Sequence, residues 1–90
     1  ASAAETTLAR SVILLDDGHL NEARASLVEA LDGLEQDHQS SCTTPRALRI
    51  WAGSGVLGAG TELSYRVQRA GKARATNAED CELYAGLTTR

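Results

Sequence analysis

The sequence predicts an all-α fold, a small helical domain of three to four helices that begins with a helical hairpin. Three observations point there. The apolar residues are mainly Ala, Leu and Val, with no Phe and only Trp51, Tyr65 and Tyr84 as aromatics. Such a set suits closely packed helices better than strands, which favour β-branched and aromatic residues. Apolar positions recur at helical spacing over residues 5–16 and 21–37. Start and stop signals for helices stand between the periodic stretches, at Gly18, at Thr44-Pro45 and at Asn77. Ninety residues make one domain, 1–90, with no room for a second core. The alternative is an α+β fold with a β-hairpin at about 62–76.

The first helix is expected over 5–16. Leu8, Val12 and Leu15 form its stripe, widened by Ala9 and Ile13. Asp16-Asp17-Gly18 ends it, with Gly18 free to adopt the left-handed conformation of a C-terminal cap. The second helix is expected over 21–37, capped by Asn21. Leu20, Ala23, Leu27, Ala30, Leu31 and Leu34 make one apolar face, completing a hairpin over 5–37. The polar stretch from Gln36 to Thr44 reads as a loop.

Thr44 then reads as an N-cap, with Pro45 at the first helical position. Leu48, Trp51 and Ala52 continue the helical spacing, but Gly53, Gly55, Gly58 and Gly60 interrupt it. Each glycine inside a helix costs about 1 kcal/mol relative to alanine, so segment 45–71 is expected to break near 53–60. Over 61–71, Leu63, Val67 and Ala70 fit a helix, while Leu63, Tyr65 and Val67 also alternate as in a strand. Asn77 caps a terminal helix over 78–88, with Leu83, Tyr84 and Leu87 on one face.

Gly18, Ala23, Leu27 and Ala30 hold the glycine, alanine, large apolar and alanine register of a tetratricopeptide-type hairpin, and Leu14 takes the aromatic position of its first helix. Residues 7–35 therefore resemble a single tetratricopeptide-like repeat. Thr7, Arg10, Ser11 and Glu35 depart from the pattern, standing where the family has tryptophan, leucine, glycine and proline. The resemblance implies a helical hairpin. One copy does not make the concave groove with which repeat proteins bind peptides.

The net charge of −3 is unevenly placed. Residues 1–42 carry eight acids against two bases, and residues 43–90 carry seven bases against four acids. Either the two halves compensate one another, or the second presents a basic surface to an anionic partner. Arg66, Arg69, Lys72 and Arg74 follow one another with no acid between Ser64 and Ala78, and Arg46 and Arg49 open the preceding element. With Trp51 as a large anchor, these are the candidate binding residues. The overall acidity and the scarcity of aromatics argue against a dedicated nucleic-acid binder. Trp51 itself is expected to be buried.

Cys42 and Cys81 are the only cysteines. One disulfide in an exported, periplasmic or secreted protein accounts for both, closing a loop of about 40 residues. The opening Ala-Ser-Ala-Ala fits the same setting, since small residues surround signal-peptidase sites. A bridge would also require the break near 53–60. An unbroken helix over 45–71 would run roughly 40 Å and carry Cys81 away from Cys42. No apolar run approaches the ~18 residues of a membrane helix.

Catalytic and metal readings are thin. Asp16, Asp17, His19 and Glu22 lack the spacing of a calcium loop. Glu35-Gln36-Asp37-His38 holds one copy of a Glu-x-x-His motif that di-iron bundles need twice. Cys42 precedes a helix start, where a thiolate is stabilised, but only His38 lies near it in sequence, so a cysteine-dependent enzyme is the weakest reading. Gly53–Gly60 lacks the Gly-Lys-Ser/Thr ending of a phosphate loop. The expected function is therefore a small exported protein-interaction module with no catalytic site or cofactor, binding a partner with an acidic or apolar surface. Homo-oligomerisation stays open. The alternative is an anion or nucleic-acid binder working through residues 66–74.

Overall fold

The computed structural model describes residues 2–36 and 43–74, and these residues form four helices: α1 (Ala3–Asp16), α2 (Leu20–Gln36), α3 (Thr43–Gly53) and α4 (Glu62–Ala73). No strand occurs among the described residues. The fold is all-α and opens with the α1–α2 hairpin. Helix α3 packs against α1, and α4 packs against α3 and α2. The terminal helix expected over 78–88, and the Cys42 and Cys81 pair, lie outside the described residues.

Helix α1 starts two residues earlier than its apolar stripe suggests. Ser2 is extended (φ −77°, ψ 162°) and its Oγ accepts a hydrogen bond from the Glu5 amide at 3.2 Å. Ser2-Ala3-Ala4-Glu5 thus has the sequence of a capping box. At the other end Gly18 has φ +84°. The His19 amide donates to the Leu14 carbonyl at 2.9 Å and the Gly18 amide to that of Leu15 at 3.1 Å. That pair of bonds is a Schellman motif, which closes a helix only when the residue after the cap is left-handed.

The motif releases the chain directly into α2. The His19 carbonyl accepts from the Ala23 amide at 2.8 Å, so His19 rather than Asn21 stands at the cap position. Asn21 lies inside the first turn, where its Oδ1 accepts from Arg24 Nη2 at 2.7 Å. Ala23, Leu27, Ala30, Leu31 and Leu34 are buried as a single face, while Leu20 falls outside it and is exposed. Between the two helices the approach is close. A Cβ built on Gly33 would lie 2.7 Å from the Ala4 Cβ, below any ordinary carbon–carbon contact.

Thr44 is not the cap of α3, because the helix already includes Thr43. Thr44 is instead buried in the first turn, its Oγ1 without a partner among the described residues. The helix ends at Gly53, and Gly55, Gly58 and Gly60 take φ values of 75°, 78° and 79°. Three left-handed residues in six positions are incompatible with a continuing helix, which produces the break expected from the glycines. Thr61 restarts the chain as the cap of α4, its Oγ1 accepting from the Ser64 amide at 3.2 Å. Over 62–73 the helical reading holds and the β-hairpin does not form. Val67 and Ala70 are buried and Leu63 is half-buried, whereas Tyr65, which strand alternation would place with Leu63 and Val67, is 56% exposed.

The core consists of Leu8, Ala23, Leu27, Ala30, Leu31, Leu34, Leu48, Trp51, Val67 and Ala70. Trp51 is its largest side chain and is fully buried. Its Nε1 donates to Ser11 Oγ at 2.8 Å, and Ser11 Oγ donates to the Leu8 carbonyl at 2.6 Å. Ser11, unusual as a polar residue on a buried helix face, is therefore the acceptor that allows an indole N–H to be buried.

Candidate interaction surface

The candidate binding residues do not form one surface. Trp51 offers no exposed ring. Arg66 crosses from α4 to α2, where its Nη2 meets Asp32 Oδ1 and its Nε meets Glu35 Oε1, each at 2.8 Å. Those hydrogen bonds, to Glu35 first and Asp32 second, raise the Arg66 pKa above its ordinary value and keep the guanidinium charged. Here the opposite charges of the two halves do compensate within the chain. Arg74 is buried, donating from Nη1 to the Ala70 carbonyl at 3.2 Å and from Nη2 to the Leu34 carbonyl at 3.0 Å. Leu34 belongs to the last turn of α2, so Arg74 caps that helix from a second element.

Arg69 and Lys72 remain exposed on α4, and Arg46 and Arg49 are exposed on α3. Glu35, Glu62, Arg66, Arg69 and Arg74 border an open groove of about 570 Å³ between the end of α2 and α4. Three guanidinium groups share it with two carboxylates, so its field is mixed rather than strongly positive.

A second groove, of about 580 Å³, runs between α1, α3 and the segment after α3. Its lining is mainly apolar: Val12, Ile13, Leu15, Leu20, Ile50 and Val56, joined by Ser54 and Asp16. Ile13 is 62% exposed, Ile50 46% and Leu20 39%. Three large aliphatic side chains gathered in one concavity differ from the scattered exposed residues of an ordinary surface.

Sequence reasoning assigned Ile13 to the buried stripe and left Ile50 unread. The signal was present. Val12-Ile13-Leu14-Leu15 puts four apolar residues on consecutive positions, more than one face of a helix can bury. Ile50 lies beside the buried Trp51 but outside the face that Leu48 and Trp51 turn to the core.

Asp16, Asp17, His19 and Glu22 are exposed at the α1–α2 turn. No group of three or more His, Cys, Asp or Glu residues able to hold a metal occurs among the described residues. Glu35 is engaged by Arg66, and His38 lies outside the described residues. No helix among the described residues is long and apolar enough to cross a membrane. No family model, characterised protein or solved structure matches this chain.

Proposed function

We propose that this chain is a protein-interaction module whose docking surface is the α1–α3 groove. The observation that supports this is the gathering of Ile13, Leu20 and Ile50, all exposed, around a groove floored by Val12, Leu15 and Val56. Water leaves such a surface with a gain of about 25 cal/mol per Å² of apolar area covered. Capture of partners from native extract, after nuclease treatment and a salt wash, tests it. The native chain retains a stoichiometric protein, and Ile13→Glu with Ile50→Glu loses it. Equal retention by native and variant chains would refute the assignment of the groove.

A second reading is supported by Arg69 and Lys72, exposed one turn apart on α4 beside the groove that Arg66 and Arg74 border. An anionic ligand there would be lost on raising the salt and on Arg69→Glu with Lys72→Glu. Unchanged binding after charge reversal would remove it. The exported setting is tested separately by a peptide map of native material without reductant. A peptide joining Cys42 to Cys81 supports it, and two free thiols oppose it.

A further inference from the structure

We propose that the occupant of the α1–α3 groove is a second copy of this chain, packed with its α1 antiparallel to the first. The inference rests on the reading of that groove as a docking surface. It comes from the order of charges along the exposed face of α1. Arg10 lies one turn before Ile13 and Asp17 one turn after it, and all three are exposed. Spacings of three and four residues put them on one side of the helix.

A two-fold axis beside Ile13 reverses the direction of the second helix. It therefore sets Arg10 of each copy opposite Asp17 of the other, with the two Ile13 side chains between them. Such a surface is self-complementary, as the two-fold interface of a homodimer requires. A parallel arrangement would instead oppose like charges at both ends. Ile50 of α3 and Leu20 of α2 extend the apolar strip, and the same axis brings strip against strip.

The patch is small. Three large exposed aliphatic side chains, Ile13, Leu20 and Ile50, stand against the roughly 20–30 residues a side of a standard interface, so the pair is a weak one and its association is read at high concentration.

Sedimentation equilibrium on the full chain, from tens of micromolar to millimolar, reads the association directly. Circular dichroism confirms that each variant is folded, which the exposure of Ile13, Arg10 and Asp17 favours. The native chain gains mass towards a dimer with concentration. Ile13→Glu and Arg10→Asp each weaken association at least tenfold. The double variant Arg10→Asp with Asp17→Arg restores the native constant to within a few-fold, because the swapped charges meet again across the axis. A chain that stays monomeric to millimolar concentration overturns the proposal. So does a dimer indifferent to Ile13→Glu, or a charge swap that fails to restore it. A monomeric chain that captures a different protein through Ile13 and Ile50 would overturn the dimer while leaving the groove a docking surface.

Discussion

Replacing Gly33 by alanine should destabilise the domain, although propensity alone argues for the opposite. In an exposed helix interior Gly→Ala gains about 1 kcal/mol. At Gly33 the new Cβ would stand 2.7 Å from the Ala4 Cβ, whereas carbon atoms in contact settle at about 3.5–4.0 Å. About 1 Å of extra separation must be found. The opposing atom is fixed to the α1 backbone rather than to the end of a flexible side chain, so α1 itself must move. Overpacking of this kind costs about 1–3 kcal/mol. Set against the propensity gain, the net loss is about 1 kcal/mol, or a melting temperature lower by roughly 4–8 °C. Gly71 is the control. It lies inside α4 with nothing within 4 Å of an added Cβ, so Gly71→Ala should raise the melting temperature by a few degrees. The Gly33 side can also be relieved from across the interface. With Ala4→Gly the nearest α1 atom becomes the Cα, 3.6 Å away, an ordinary contact. Ala4→Gly should therefore be less harmful in the Gly33→Ala background than in the native chain. Thermal denaturation of the four members of this cycle and the Gly71 control decides the matter. A Gly33→Ala chain as stable as native, or more so, would refute the argument from close approach.

Ser11→Ala strands the buried indole N–H of Trp51 and should cost about 1–3 kcal/mol, read by urea denaturation. Trp51 emission, from the only tryptophan in the chain, is a native probe of the same transition and should shift to the red on unfolding. Gly18→Ala forces a Cβ into the left-handed region of the Schellman motif and should lose about 1 kcal/mol. A neutral result would mean that the α1–α2 turn relaxes to another form. Asp32→Asn and Glu35→Gln should each cost less than about 1 kcal/mol, since both acids are half or more exposed. Arg66 has a pKa raised above its ordinary value, so its share of the pairing is present throughout the accessible range and would be lost only above the pH at which free arginine titrates. Stability should thus show no alkaline loss attributable to this residue below pH 11.

The hairpin was legible because its signals are local. One apolar face, one left-handed glycine and a two-helix spacing suffice to place α1 against α2. The break after α3 was legible for the same reason, since Gly55, Gly58 and Gly60 each favour a conformation that helices exclude. What sequence reasoning missed depends on partners far along the chain. Nothing local distinguishes Arg66, bound to Asp32 and Glu35, from Arg69, which stays exposed, until α4 is set beside α2. Ser11 could not be read as the acceptor for Trp51, forty positions away. The caps at Asn21 and Thr44 failed by a different route. Each residue type was suitable, but each helix already includes the residue before it, Leu20 in α2 and Thr43 in α3. The candidate surface was misread for a related reason, because an apolar residue in a periodic helix reads as core unless the helix carries more apolar residues than one face can bury.

The bond from Arg74 to the Leu34 carbonyl has a consequence for how the chain folds. The last turn of α2 is completed only after α4 has formed and returned to it, so its final stabilisation must come late. Hydrogen exchange in that turn should accordingly follow the opening of α4 rather than that of the hairpin to which α2 belongs. Arg74→Ala would keep all four described helices in sequence yet free the last turn of α2 to open ahead of the rest of that helix.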